Sequence, residues 1–316
     1  MIRLAASIFS ALLLGNISAC QMPGAPADAP PSTLFAQPWN SGVDPDEPAF
    51  QVQAIDADTY VIRQSLRTSF EAPFLYLLFG EDSALLIDTG TEEGNLRPVV
   101  DRLIAQHLAD SGRSSLPLVV MHTHGHGDHV GGDDGFAGRP DTVVVGHSVE
   151  DVTAFFGISD WPEDIGALDL GERTVEILPT PGHHPSHVMV YDPATHILFS
   201  GDAIYPGRLF FECGAAGEYA ASIDRVARFA ESHQVDWLLG GHVEMKAQPG
   251  QAFGQQAKSR RGEHVLELPA SAISDVQAAF SGIDDYPRVT PFAEFVLLPH
   301  PADPRGKSPP DWCKPS

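Results

Sequence analysis

Cations, cysteines and long apolar runs are all scarce in this chain of 316 residues. Nineteen Lys and Arg stand against 42 Asp and Glu, giving a formal net charge of −23 at pH 7. That balance argues against a nucleic-acid partner, because phosphate backbones are bound by neutralising Lys and Arg. It argues equally against docking on an anionic membrane through a basic patch. With three cysteines, Cys20, Cys213 and Cys313, the chain has too few for a disulfide scaffold. A chain of this length buries enough surface to hold a core without one. No apolar run approaches the ~20 residues that span a bilayer. Nor is there a Gly-x-Ser-x-Gly elbow to suggest a serine nucleophile. Charged residues at 19% and apolar residues at 43% are the composition of a folded globular protein. The one excess is histidine, at 14 residues, and its placement decides the reading.

The N-terminus carries Arg3, an apolar run from about Leu4 to Leu14 and then small residues, the layout of a secretory signal. Ile17-Ser18-Ala19-Cys20 resembles the lipobox of bacterial lipoproteins, in which the signal is removed before a cysteine that carries the lipid. That resemblance implies a signal peptide over 1–19 and an exported protein, lipid-anchored at Cys20 on the periplasmic side of a bacterial membrane. Residues 20–49 are rich in Pro and Ala and read as an extended tether. The tail 299–316 reads as loosely ordered, leaving 50–298 as one domain. An oxidising compartment would allow a Cys213–Cys313 bridge.

Within that domain, strand-like runs fall at Thr59–Leu66, Phe74–Phe79, Ala84–Ile87, Leu118–Met121, Thr142–Val145, Thr174–Leu178, His187–Tyr191, Ile197–Ser200 and Val235–Leu239. Helical spacing of apolar residues predicts helices near Asn95–Ala109, Glu218–Ser232 and Ala270–Phe280. Hairpins mixed with β-α-β units predict mixed α/β layers and not an all-parallel sheet.

Directly after Leu118–Met121 comes His124-Gly125-His126-Gly127-Asp128-His129. So polar and glycine-rich a string is a poor core segment; imidazole and carboxylate together suit a divalent metal. Alternate residues of an extended segment point the same way, so His124 and His126 share one metal while Asp128 and His129 reach a second.

The string resembles the HxHxDH motif of the metallo-β-lactamase superfamily. Four further motifs are similar, in order: Leu86-Ile87-Asp88-Thr89-Gly90, Thr180-Pro181-Gly182-His183, Ser200-Gly201-Asp202 and Gly241-His242. The resemblance covers roughly residues 74–245. It implies an αββα four-layer sandwich with mixed sheets. It implies one metal on His124, His126 and His183, a second on Asp128, His129 and His242, and Asp202 bridging the two. His184 and His187 lie beside His183, but the superfamily places its ligand directly after Pro-Gly. His122 and His187 are expected to support the site, and Asp88 to support the ligand loop without binding metal.

An Asp at 202 resembles the glyoxalase II, lactonase and nuclease branches, whereas true β-lactamases commonly have Cys or Ser there. Asp202-Ala203-Ile204-Tyr205 is similar to the acyl-homoserine lactonase pattern, which makes Tyr205 a candidate oxyanion donor and Asp128 a candidate proton carrier. Phe155, Phe156, Trp161, Phe210, Phe211 and Tyr219 are either core or pocket mouth, and Phe70 lies where some relatives carry a flap. The reaction so implied is dinuclear hydrolysis of a lactone, ester or thioester of a small molecule by a hydroxide shared between two divalent metals, Zn2+ first, with Fe or Mn as alternatives. The competing readings are a β-lactam hydrolase and a mononuclear iron enzyme resembling the persulfide dioxygenases. The substrate and the oligomeric state are not written in the sequence.

Overall fold

A computed structural model describes Ser32, residues 34–282 and residues 289–300. The signal segment 1–19, the anchor at Cys20 and Cys313 lie outside the described residues. The first sheet runs in chain order through β1 (Phe50–Ala54), β2 (Thr59–Gln64), β3 (Phe74–Phe79), β4 (Ala84–Ile87), β5 (Leu118–Met121) and β6 (Thr142–Val144). The first four strands form an antiparallel meander, and β5 and β6 add in parallel. A parallel neighbour needs a crossover, which α1 (Arg97–Ser111) supplies between β4 and β5. The second sheet holds β7 (Gly166–Asp169), β8 (Thr174–Pro179), β9 (Val188–Asp192), β10 (Ile197–Gly201), β12 (Trp237–Gly240) and β13 (Glu267–Pro269), in the order β13-β12-β10-β9-β8-β7. A small third sheet joins β11 (Arg208–Glu212) to β15 (Val296–His300) and β14 (Thr290–Pro291).

The central strands β3, β4, β9 and β10 read as continuous apolar runs because they are buried on both faces. In β3 every residue is buried: Phe74, Tyr76 and Leu78 face the second sheet, while Leu75, Leu77 and Phe79 face α1. Between the sheets, Val61, Leu85 and Ile87 meet Ile177, Val190, Phe199 and Leu239. On the outside, Val100, Leu103 and Ile104 of α1 cover the first sheet. The amphipathic helices α4 (Ala216–Ser232) and α5 (Ser271–Ser281) cover Met189, Leu198 and Leu238 of the second. The layers are therefore α, β, β, α, as expected.

Several boundaries move. The first helix starts two residues later than expected, with Pro98 in its first turn, and ends at Gly112, which is left-handed at φ 69°. Two short helices escaped the sequence reading: α2 (Gly127–Val130), inside the ligand string, and α3 (Val149–Phe156), which carries a Ser148–Asp151 capping box. The tether expected over 20–49 is corrected in its second half. Phe35 is only 6% exposed and lies in the inter-sheet core. Its ring is 5.0 Å from Trp39, which in turn is 5.1 Å from Phe74. Proline-rich composition signals extended chain, but extended chain bearing two aromatics can lie along the open edge of a core. At the other end β15 continues to His300, two residues past the expected boundary, because it pairs in parallel with β11. Cys213 is disulfide-bonded; its expected partner Cys313 lies outside the described residues.

A buried ion pair ties the two sheets. Arg173 reaches Asp192 at 2.6 and 3.1 Å and also donates to the carbonyls of Asp58 and Phe79 at 2.9 and 3.0 Å. Asp192 is wholly buried. Arg173→Ala would strand that carboxylate without its cation, a loss of about 3–5 kcal/mol. The expected result is a clear fall in the urea unfolding midpoint followed by circular dichroism.

Candidate metal centre

The loops that leave the carboxyl ends of parallel strands carry the ligands. β4 ends at Ile87 before Asp88, β5 runs into His124–His129, β10 ends at Gly201 before Asp202, and β12 ends at Gly240 before His242. His183 follows β8. The structure brings all seven expected ligands together in two groups, His124, His126 and His183, and Asp128, His129, Asp202 and His242. In the first, His126 Nδ1 lies 2.9 Å from His124 Nε2 and 3.1 Å from His183 Nε2. In the second, Asp128 Oδ2 lies 3.1 Å from His242 Nε2 and 3.4 Å from His129 Nε2. Asp202 divides its oxygens between them: Oδ2 is 3.6 Å from His183 Nε2, and Oδ1 is 3.5 Å from both His129 Nε2 and His242 Nε2.

The tautomers follow from the partners of the other ring nitrogens. Carbonyl oxygens only accept, so His183 Nδ1 donates to Phe210 O at 2.8 Å and His242 Nδ1 to Glu71 O at 3.0 Å. His129 Nδ1 donates to Asp88 Oδ2 at 2.8 Å. The Thr123 hydroxyl donates to Asp88 at 2.9 Å and accepts from His124 Nδ1 at 3.1 Å. Each of these four rings is thus left to offer Nε2 to the centre, the arrangement that metal-binding imidazoles require. His129 Nε2 and Asp202 Oδ1 are buried with no hydrogen-bond partner. Orphaned polar atoms at the heart of a buried imidazole–carboxylate cluster fit a divalent cation.

Burial lowers His124 and His126 and pushes His183 down to about 4. These rings are neutral at pH 7. Burial acts the same way on His129 and His242, but Asp128 and Asp202 outweigh it and hold both well above the usual histidine value. The converse holds for the acids: burial would raise Asp128 and Asp202, yet His129 and His242 hold both well below the carboxylate range.

Supporting residues fall where they were expected. Asp88, at φ 65°, holds Thr123 and the outer nitrogen of His129 and belongs to neither ligand group. His187 Nε2 accepts from the Asp202 backbone N–H at 3.1 Å. His122 lies 2.8 Å from Asp133, and His184 turns to Ser186 at 3.0 Å. Backbone space is equally constrained: a Cβ on Gly241 would stand 2.3 Å from Asp202 Oδ1, so only glycine admits both ligands there.

The centre opens on a cleft of about 540 Å³ whose walls include Phe70, Tyr205, Phe210 and Leu298. Phe156, Phe211 and Tyr219 are core residues, Phe155 is 40% exposed and Trp161 packs against the core. Tyr205 lines the cleft, but its hydroxyl donates to the Arg208 carbonyl, with Glu244 Oε2 3.5 Å away. Sequence reasoning missed Glu71, Arg208, Glu244 and Arg260. Arg260, 1% exposed, brackets the His242 contact by donating to Val243 O and Phe70 O, both at 2.6 Å. No local motif marks these residues; long-range packing brings them in.

The family model described as the metallo-beta-lactamase superfamily matches residues 70–231, a stretch that holds six of the seven ligands and stops before His242. A hydroxyacylglutathione hydrolase of Aeromonas hydrophila is 29% identical over 163 residues, 50% of this chain and 58% of its own. A second, from Mesorhizobium japonicum, is 34% identical over 31% of this chain and 38% of its own length. The chain therefore spans well under two thirds of these relatives. The acyl-coenzyme A thioesterase MBLAC2 of Gallus gallus is 25% identical over 62% of this chain and 81% of its own. Among solved structures, TMB-1 matches with a TM-score of 0.50 at 16% identity, over 75% of this chain and 99% of that one. At that identity the likeness is one of fold.

The charge states give a pH test. A cation entering the Asp128 group must displace the protons that His129 and His242 hold, whereas the neutral trio has none to lose. Metal affinity should therefore rise with pH while those two rings remain protonated. Calorimetric titration of the stripped chain with Zn2+ at pH 7, in buffers of different ionisation enthalpy, should report release of about two protons.

Proposed function

This chain belongs to the metallo-beta-lactamase superfamily, and on that premise we propose that it is a metal-dependent hydrolase of a lactone, ester or thioester bond in a small molecule. The observation that carries the reading is the Asp202 carboxylate, with one oxygen turned to each ligand group. We assign a dinuclear centre, most simply Zn2+, with one ion on His124, His126 and His183, the other on Asp128, His129 and His242, and Asp202 between them. The names of the hydroxyacylglutathione hydrolases and the MBLAC2 thioesterase support hydrolysis at an acyl carbon.

Bound there, divalent ions would acidify a water toward neutral pH and polarise a carbonyl oxygen. The chain's own residues then fix and finish the reaction. Carbonyls and Asp88 hold the rings, the cleft walls position the acyl group, and Asp128, 18% exposed in its side chain and ionised, would take the water's proton on the oxygen that faces away from the ligand group, Oδ1, and pass it to the leaving atom. For Tyr205 to stabilise an oxyanion, its hydroxyl would have to release the Arg208 carbonyl. We therefore give it the role of a wall residue.

The composition of residues 1–20 supports export and a lipid anchor at Cys20. Cys20→Ala should abolish labelling by radioactive palmitate in a bacterial host; retained label would remove the anchor.

Metal analysis and a substrate panel test the enzymatic reading. About two Zn per chain, activity lost to a chelator and restored by Zn2+, and turnover of an aryl ester, lactone or thioester are expected. Asp202→Asn should bind at most one ion. Tyr205→Phe should cost far less than the ~100-fold that follows loss of a committed oxyanion donor. One iron per chain with oxygen uptake on a persulfide would favour the dioxygenase reading, and preference for a cephalosporin the β-lactam one.

A further inference from the structure

Arg260 is a buried cation that the ligand set does not explain. It is 1% exposed, yet its fork meets only neutral acceptors. Nη1 donates to Val243 O and Nη2 to Phe70 O, both at 2.6 Å, and Nε is buried without a partner. The acids near it, Glu263 and Glu244, are paired with Arg63 and Arg208 instead. Burying a cation on neutral carbonyls is costly, and an apolar residue of similar size would avoid that cost. What the guanidinium adds is geometry: a rigid planar fork holds two acceptors at a fixed separation.

Those two acceptors flank a ligand contact. Phe70 precedes Glu71, whose carbonyl takes the His242 Nδ1 proton at 3.0 Å, and Val243 follows His242. Arg260 therefore closes a ring that runs from its fork through Phe70, Glu71, His242 and Val243 and back. On the other side of the same contact, the Phe74 N–H donates to Gly241 O at 2.8 Å. Arg260 is itself held from behind, its backbone N–H donating to Ser41 O at 2.7 Å. The other rings rest on other supports. His183 is oriented by Phe210 O, His124 by Thr123 and His129 by Asp88. None of those bonds involves residues 70, 71, 243 or 260.

We propose that Arg260 is a positioning residue for one ion only, the ion of Asp128, His129 and His242. By fixing the Phe70 and Val243 carbonyls it holds the Glu71 carbonyl against His242, and so sets the affinity of that group. The group of His124, His126 and His183 is independent of it. The inference rests on the two-ion reading of the centre and adds a device that adjusts one ion without the other. Without the fork, two buried carbonyls lose their donor, and His242 loses the fixed partner that turns Nε2 toward the metal. An arginine that merely filled space would affect both groups through the fold, or neither.

The test isolates each group within the full chain. His183→Ala leaves the Asp128 group complete, and His129→Ala leaves the trio complete. Zn2+ dissociation constants are measured by competition with a chromophoric chelator, at a temperature where circular dichroism shows every variant folded. In the His183→Ala background, Arg260→Met should weaken Zn2+ by about tenfold or more, the usual loss when a metal-binding imidazole is deprived of its support. In the His129→Ala background it should change nothing. Arg260→Lys, which keeps the charge but not the fork, should recover only part of the loss. Arg173→Ala, which removes a buried arginine elsewhere, should lower stability and leave both constants unmoved. Equal weakening in both backgrounds, no weakening in the His183→Ala background, or full recovery by Arg260→Lys overturns the proposal. Failure of Zn2+ to bind in either parent background would instead overturn the two-ion centre on which it rests.

Discussion

One buried carboxylate organises the centre without belonging to it. Asp88 accepts from the Thr123 backbone N–H at 2.7 Å, from the Thr123 hydroxyl at 2.9 Å and from His129 Nδ1 at 2.8 Å. Through Thr123 it also reaches His124. One side chain thereby fixes the loop and the orientation of two rings in the two different ligand groups. It is tolerated at 1% exposure because its oxygens are filled by donors, the condition under which a buried polar group is accommodated. Its left-handed backbone, at φ 65°, is a local cost that the surrounding contacts override.

The remaining rings are held by backbone carbonyls, and those carbonyls come from elements with other duties. Phe210 belongs to β11, in the third sheet, and Glu71 to the segment between β2 and β3 that Arg260 secures. Rigid strands behind mobile-looking loops are how a scaffold holds ligand geometry within tenths of an ångström. Glycine supplies the last constraint, since ligands approach so closely at Gly241 and Gly201 that a side chain would collide with Asp202 or with His187.

What was legible in the sequence follows the range of the forces involved. Mixed α/β layers were readable from the apolar runs, while the αββα order came only with the resemblance carried by the five motifs. The seven ligands were readable because they sit in short motifs at strand ends. Phe35 and Trp39 were misassigned because composition describes a stretch and not the surface it covers. α3 was missed because it has only eight residues and two turns of periodicity are too few to register. Glu71, Arg208, Glu244 and Arg260 act across 17 to 190 positions, and nothing near them in sequence announces it. Arg63, for instance, meets Glu263 200 residues away. The Tyr205 hydroxyl shows the opposite limit: a motif can place a side chain beside a site while a neighbouring carbonyl takes its proton.

The third sheet has a consequence in time. His183 is oriented by Phe210 O, and Phe210 pairs in register with Leu298 of β15. His242 is oriented by Glu71, 171 residues earlier. Contacts so distant along the chain close slowly, because loop entropy is lost before they return any stabilisation. The ligand string His124–His129 can form early beside β5, but the rings that complete both groups wait for the last strands to dock. A nascent chain therefore offers a partial, weakly chelating loop first and the full set only at maturity. A cation that needs the full set would therefore favour the folded chain over the unfolded one, because only the fold brings both groups together.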